Sequence, residues 1–192
     1  MKRIFIAVKI EPEKELSEMF SSFRSALKDE SIKWTEASNL HLTLIFLGDT
    51  DEKRIKEIDI LLGKICSGFS SFSFKISGAG VFKNLRDPRI IWAGISGNEK
   101  LNELHALISS ALQKTGTGTE EKNYRPHLTL GRIRRIQKTK DLSDLLETYS
   151  NKTLQLVKCK EVILYESILK PGGAQYRPLG RYSFPAEENL PG

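Results

Sequence analysis

The sequence has few cysteines and contains no long hydrophobic segment. Its 192 residues include only two cysteines, Cys66 and Cys159, which lie far apart in the chain. Two cysteines without a close spacing indicate neither a disulfide framework nor a zinc site. No stretch approaches the roughly 18 apolar residues of a membrane-spanning helix, and the segment from Ile4 to Ile10 is too short and too interrupted for a signal peptide. These absences predict a cytoplasmic protein with reduced thiols that does not contact a membrane.

The overall composition is that of an ordinary globular protein with a surplus of positive charge. Hydrophobic residues make up 39% of the chain and charged residues 28%, which is enough apolar material for one sizeable domain. The net charge of +6 favours a polyanionic partner, although a basic solvated surface would explain it equally well. We expect one domain over residues 1–184 and a loose tail over residues 185–192.

Histidine is also scarce, and two of the three histidines lie in copies of one pattern. The copies are His41-Leu42-Thr43-Leu44 and His127-Leu128-Thr129-Leu130. Each copy is apolar without helical periodicity and therefore predicts a β-strand. Because strand side chains alternate between faces, the histidine and threonine of each copy share one face while the leucines point into a core.

The two copies belong to a longer internal repeat. His127 follows His41 by 86 residues, and at the same offset the apolar segment Ile90–Ala93 follows Ile4–Ala7. Apolar stripes at helical spacing occur at matching places in both halves. The chain therefore reads as a duplicated strand-helix-strand-helix-strand unit, with lobes at about residues 1–80 and 89–184.

The flanking patterns give approximate bounds for other elements. Helices are predicted at about Pro12–Lys28, with the proline in the first turn, and at about Glu99–Lys114, and Asp51 is a candidate N-terminal cap for another. A strand from Phe72 to Ile76 is expected to end at the glycines that follow it, and a last strand at about Gln175–Phe184. Together these elements predict an α+β fold with two lobes, in which antiparallel sheets line a central cleft and helices lie outside. Strand exchange between the lobes is compatible with this order.

Paired histidine and threonine side chains suit phosphate-ester chemistry. One histidine can accept a proton while the other donates one, and the hydroxyls of Thr43 and Thr129 can donate hydrogen bonds to phosphoryl oxygens. No acidic residue or further histidine lies within either motif, so we expect no metal and no cofactor. The alternative is a metal whose ligands the fold brings in from elsewhere in the chain. The third histidine, His105, lies in the apolar stripe of a helix and is interpreted as a structural residue.

Three segments carry a resemblance to a known family. Asn39–Gly48, Arg125–Leu130 and Glu166–Leu179 resemble the 2H phosphoesterase superfamily, and within it the RNA 2′,3′-cyclic phosphodiesterase branch, also called 2′-5′ RNA ligases. The resemblance covers nearly the whole chain. It implies hydrolysis of RNA 2′,3′-cyclic phosphate ends to 2′-phosphomonoesters. We expect a monomer that acts without a metal, with tRNA fragments among the candidate substrates.

The resemblance also implies individual roles. His41 would be the acid and His127 the base, Arg132 would contact the phosphate, and Phe46 would stack on the terminal base. Strict alternation conflicts with the last two roles, because each residue lies five positions after its histidine and so belongs to the opposite face. Both roles require the strands to end or bulge just before these residues. Otherwise Phe46 is a core aromatic and Arg132 faces solvent.

Two other functions are compatible with the same residues. One is the reverse reaction, in which a 2′,3′-cyclic phosphate end is joined to a 5′-hydroxyl to form a 2′-5′ bond. The other is an RNA-end binding module without significant turnover. The presence of both histidines and both threonines favours a catalyst over such a module.

Overall fold

The computed structural model describes residues 1–116, 124–171 and 173–186. The strands are β1 (Lys2–Lys9), β2 (Ser31–Trp34), β3 (His41–Thr50), β4 (Phe72–Phe82), β5 (Ile90–Ser96), β6 (His127–Arg135), β7 (Thr153–Cys159), β8 (Glu161–Lys170) and β9 (Gly173–Ser183). The helices are α1 (Lys14–Ala26), α2 (Glu52–Ser67), α3 (Glu99–Lys114) and α4 (Thr139–Tyr149), and a 3-10 turn spans Ala37–Asn39. The α+β class predicted from the sequence is confirmed.

All of these strands belong to one antiparallel sheet. Its order is β7-β4-β5-β6-β3-β1-β8-β9, and β2 pairs with the remaining length of β6. The two motif strands, β3 and β6, are neighbours at the centre, but their ladder contains one pair only, Leu42 with Leu128. The sheet therefore consists of two halves that are joined by a narrow contact between the motif strands.

The last strand of each repeat pairs in the other half of the sheet. β4 is the last strand of the first copy, but it pairs with β5, the first strand of the second copy. β8 is its counterpart in the second copy, and it pairs with β1, the first strand of the first copy. The first helix of each copy also packs against the other copy. Helix α1 of the first copy packs against β7 and α4, and helix α3 of the second copy packs against α2 and β3. Neither half is built from one continuous segment of chain.

One face of the sheet carries the hydrophobic core. Alternate residues of β1 (Ile4, Ile6 and Val8) are buried in it, together with the apolar stripes of the four helices. A second, small cluster lies on the other face and consists of Phe5, Ala7, Ile163 and Tyr165. Because β1 is buried on both faces, its sequence is a continuous apolar run rather than an alternating one.

Several predicted element bounds are confirmed and others are corrected. Helix α3 has the predicted bounds, and Asp51 caps α2 by accepting a hydrogen bond from the Arg54 backbone amide at 2.8 Å. Helix α1 begins at Lys14, so Pro12 lies before it rather than in its first turn. Strand β4 does not end at Gly78, where the left-handed backbone (φ of 71°) forms a bulge and the strand continues to Phe82.

Some expectations concern residues outside the described ranges. Residues 187–192 of the expected tail lie there, as do residues 117–123 of the loop before the second motif. Among the described residues, no helix is long and apolar enough to cross a membrane.

Candidate active site

The two motifs meet at the centre of the sheet with local two-fold symmetry. Leu42 and Leu128 pair directly and are fully buried on the core face. In an antiparallel register about this pair, His41 lies on the side of Thr129, and Thr43 lies on the side of His127. Two imidazoles and two hydroxyls consequently share the face opposite the core.

A β-bulge follows the threonine in each motif strand. In the pairing with β1, Thr43 lies opposite Ala7 and Ile45 lies opposite Ile6, so Leu44 is an extra residue without a partner in β1. In the pairing with β5, Thr129 lies opposite Trp92 and Gly131 lies opposite Ile91, so Leu130 is the extra residue of β6. Two successive residues are therefore buried in each strand, and the alternation of faces is shifted by one position.

These bulges bring Phe46 and Arg132 onto the face of the histidines. Phe46 is 54% exposed rather than part of the core, and both residues line the same cleft as the two motifs. The alternation that would have buried Phe46 and misdirected Arg132 is broken at the same place in both copies. The bulge that their implied roles require is therefore present in each motif strand.

Both histidines are held in the same tautomer by the backbone two residues earlier. Nδ1 of His41 lies 2.6 Å from the carbonyl oxygen of Asn39, and Nδ1 of His127 lies 2.8 Å from that of Arg125. A carbonyl oxygen can only accept, so Nδ1 carries the proton in each ring. Nε2 is then the nitrogen left for chemistry, and each ring has a fixed orientation.

Aromatic side chains pack against both imidazoles. The ring centroid of His41 lies 5.0 Å from those of Phe5 and Tyr176, and the His127 centroid lies 4.7 Å from that of Phe82, edge to face. These rings limit the positions available to the imidazoles and remove water from around them. They come from strands β1, β9 and β4, and the contacts could not be read from the motifs themselves.

The histidines and threonines line an open cleft of about 590 Å³. Its other polar or charged lining residues are Arg3, Thr35, Arg132, Ser167 and Tyr176. Within the described parts of the chain, no aspartate or glutamate lines this cleft. The cleft therefore favours an anionic ligand.

The environment lowers the pKa of both catalytic candidates. For His41 the largest cause is burial, which the hydrogen bond to the Asn39 carbonyl opposes. Burial likewise dominates for His127, opposed by the bond to the Arg125 carbonyl. The positive charge of Arg132 lowers the pKa of both rings further. Both imidazoles are consequently biased towards the neutral form in the empty cleft.

Thr35 is a site residue that the sequence patterns did not indicate. It follows β2, its hydroxyl donates to the Thr129 carbonyl oxygen at 3.0 Å, and its amide donates to the Leu130 carbonyl oxygen at 2.8 Å. These bonds hold the segment after β2 against the bulge of β6. The four-residue strand β2 has too short a pattern to be recognised from sequence alone.

His105 lies apart from the cleft. Its ring stacks on that of Tyr124 with centroids 3.9 Å apart, and it is not among the residues that line the cleft. Among the described residues, no three histidine, cysteine, aspartate or glutamate side chains are grouped so that they could hold a metal ion.

A duplicated α+β domain with a His-x-Thr motif on each of two central strands defines the class of the 2H phosphoesterases. The sequence profile of the LigT-like phosphoesterase family matches the chain twice, over residues 8–92 and 94–176. Each match contains one motif. The chain belongs to the LigT-like phosphoesterase family.

Relatives and solved structures agree with this assignment. A protein of Methanothermobacter thermautotrophicus is 32% identical over 176 residues, which are 91% of this chain and 94% of that protein. One from Thermotoga maritima is 33% identical over 184 residues, 95% of each chain. Both are named RNA 2′,3′-cyclic phosphodiesterase.

The fold is also found in crystal structures of more distant proteins. A structure from Thermus thermophilus has a TM-score of 0.72 at 22% identity and covers 96% of this chain and 99% of its own. Apo LigT of E. coli has a TM-score of 0.69 at 24% identity, covering 95% and 97%.

Proposed function

We propose that the protein hydrolyses RNA 2′,3′-cyclic phosphate ends to 2′-phosphomonoesters without a metal. Membership of the LigT-like phosphoesterase family and the name shared by relatives at 32% and 33% identity support this reaction. The observation that carries the proposal is the pair of imidazoles on one face of the sheet, each with Nδ1 bound to a carbonyl and Nε2 left for the cleft.

In the proposed reaction, the two histidines move one proton each. His127 accepts a proton from water at Nε2, and the water oxygen forms a bond to phosphorus. The bond from phosphorus to O3′ breaks, and O3′ takes a proton from Nε2 of His41. The assignment of acid and base rests on the family resemblance, since both rings are held by the backbone in the same way.

The remaining site residues hold the phosphate and the nucleoside. The hydroxyls of Thr43 and Thr129 donate to the phosphoryl oxygens, and Arg132 supplies a positive charge to the transition state. Phe46 offers an exposed ring at the opposite end of the cleft, on which the terminal base stacks. In this arrangement the two bulges define the two ends of the substrate site.

Other observations fit a nucleotide ligand. The cleft has cationic but no acidic lining among the described residues. E. coli LigT, which shares the fold, has been crystallised with 3′-AMP and with phosphate. We propose that the enzyme acts as a monomer in the cytoplasm, with tRNA fragments among its substrates.

The test is hydrolysis of an oligoribonucleotide with a 2′,3′-cyclic phosphate end in the presence of EDTA. We expect turnover, and we expect the product to be a 2′-phosphate when it is identified by phosphorus NMR. A 3′-phosphate product, or activity that returns only when a divalent ion is added, would contradict the proposal. Tight binding of the oligoribonucleotide without hydrolysis of its cyclic phosphate would indicate a binding module instead.

A further inference from the structure

A second cavity adjoins the cleft at its Arg132 end. It has a volume of about 390 Å³ and shares Thr35, Arg132, Ala174 and Tyr176 with the cleft. We call it the side cavity, and its other lining residues are Arg24, Lys33, Trp34, Glu36, Asn39 and Gly173. It lies between β2, the end of β6 and the β8–β9 hairpin, on the side of the motifs away from Phe46.

Two of its cations face each other across a pair of strands. Lys33 on β2 is the direct register partner of Arg132 on β6. Like charges directly opposite in an antiparallel ladder destabilise the pairing. The Lys33 ammonium also reaches the hairpin, since a β-carbon added at Gly173 would lie 3.6 Å from Nζ. The lysine side chain therefore extends towards the β8–β9 hairpin, and it lines the side cavity together with Arg132.

A third cation comes from helix α1. The Arg24 guanidinium lies 5.7 Å from the centroid of the Phe20 ring, and Phe20 in turn packs edge to face on Trp34. Within the described ranges, no ion pair is formed by Arg24, Lys33 or Arg132. Of the carboxylates in the described part of the chain, Glu36 alone lines the side cavity against these three cations.

A concave site with a net positive charge and a repulsive pair at its centre is suited to an anion. Its volume falls within the range of small-ligand sites, and it opens into the cleft through shared residues. We propose that the side cavity binds an RNA phosphodiester next to the phosphate that reacts. This inference rests on the proposed function. Where the phosphodiester belongs to the strand that carries the cyclic end, it predicts that the enzyme prefers RNA chains to cyclic mononucleotides.

The bound phosphodiester has two possible sources. It can belong to the strand that carries the cyclic end, or to a second strand whose 5′-hydroxyl is brought to the reacting phosphate. The chemistry at Lys33 and Arg24 is the same in both cases. The experiment therefore has one arm for each source.

The first arm compares hydrolysis of adenosine 2′,3′-cyclic phosphate with that of a tetranucleotide bearing the same end. If the phosphodiester belongs to the reacting strand, Lys33→Met and Arg24→Met should each raise the KM of the tetranucleotide by roughly 3- to 10-fold at low salt. The slope of log kcat/KM against log salt should become shallower by about 0.7 for each cation that no longer neutralises a phosphate. Turnover of the mononucleotide should be unchanged, because neither residue lines the cleft itself. Lys75→Met, an exposed lysine on β4, is the matched control.

The second arm measures binding of a labelled 5′-hydroxyl strand while 2′-AMP fills the cleft. If the phosphodiester comes from a second strand, the tetranucleotide has no advantage, but this strand binds and Lys33→Met weakens its binding. The inference is overturned if neither arm depends on Lys33 and Arg24. If the wild-type enzyme hydrolyses neither cyclic phosphate, the proposed function fails instead.

Thermal unfolding separates a binding role for Lys33 from a structural one. Removal of one of two opposed like charges should leave the melting temperature of Lys33→Met equal to or above that of the wild type. A lower melting temperature, accompanied by equal losses on both substrates, would assign Lys33 to the stability of the β2–β6 pairing and overturn the inference.

Discussion

At the scale of single residues, the site depends on how the backbone holds each imidazole. The carbonyls of Asn39 and Arg125 determine which nitrogen carries the proton. Phe5 and Tyr176 pack against the His41 ring, and Phe82 packs against the His127 ring. The histidines and threonines were predictable from sequence because the motif occurs twice. The aromatic neighbours were not, since they come from strands far away in the chain.

Arg132 should contribute through charge and also through geometry. Its guanidinium can contact two phosphoryl oxygens at once, whereas a lysine offers a point charge. We expect Arg132→Ala to lower kcat/KM for the cyclic mononucleotide by roughly 10²–10³-fold, as for loss of one oxyanion donor. Arg132→Lys should retain part of this activity. A wild-type rate in Arg132→Ala would remove the residue from the site.

The lowered pKa values of His41 and His127 predict an acid-shifted pH profile. The base must be neutral and the acid protonated, so kcat/KM should be bell-shaped with its maximum below about pH 6.5, the ordinary histidine value. A bound anion favours the charged imidazole, so the alkaline limb of kcat should lie at higher pH than that of kcat/KM. In Arg132→Ala both limbs should move to higher pH, because its charge lowers both pKa values. A profile with a single limb would contradict two-histidine catalysis.

At the scale of elements, paired bulges make the site possible. They occur at Leu44 and Leu130, the same position in both copies, and turn Phe46 and Arg132 into the cleft. The helices were predictable because their stripes are long and periodic. Strand β7 is not predicted, although Leu154 and Leu156 alternate with polar residues. Strand β4 extends past its predicted end, because Gly78 forms a bulge rather than a break.

Gly131 is the element-scale test, because the bulge of β6 packs tightly there. A β-carbon at this position would lie 2.8 Å from the Trp34 ring and 3.0 Å from the Ile32 side chain. We expect Gly131→Ala to lower the free energy of unfolding by about 1–3 kcal/mol through overpacking and to lower activity by displacing Arg132.

Gly63 on α2 is the matched control for this substitution. It is exposed, and nothing lies within 4 Å of an added β-carbon. Gly63→Ala should raise the free energy of unfolding by roughly 0.5–1 kcal/mol, because alanine favours the helix. Urea unfolding of both variants checks the pair. An unchanged stability in Gly131→Ala would show that the bulge region repacks without strain.

At the scale of the whole molecule, a repeated sequence makes one interdependent sheet. The order of elements in each copy was predictable, but the pairing was not, because β4 and β8 each complete the opposite half. Local patterns determine where a strand forms and do not determine which of two similar partners it joins. The exchange places residues of both halves around one cleft.

This exchange predicts that neither half folds alone. A fragment of residues 1–85 contains β4 without its partners β5 and β7, and α1 without β7 and α4. We expect this fragment and the fragment of residues 86–192 each to lack a cooperative thermal transition by circular dichroism, while the intact chain shows one. Cooperative unfolding of either fragment would show that the halves are independent.

The most direct test of the central claim measures single-turnover hydrolysis of adenosine 2′,3′-cyclic phosphate by His41→Ala, His127→Ala and the control His105→Ala. General acid–base catalysis is worth roughly 10²–10⁴-fold per group, so each of the first two variants should lose at least about 10²-fold. Their melting temperatures should remain close to that of the wild type, because both side chains face the cleft. His105→Ala should lose stability rather than rate. Near-normal hydrolysis in either motif variant would contradict the account.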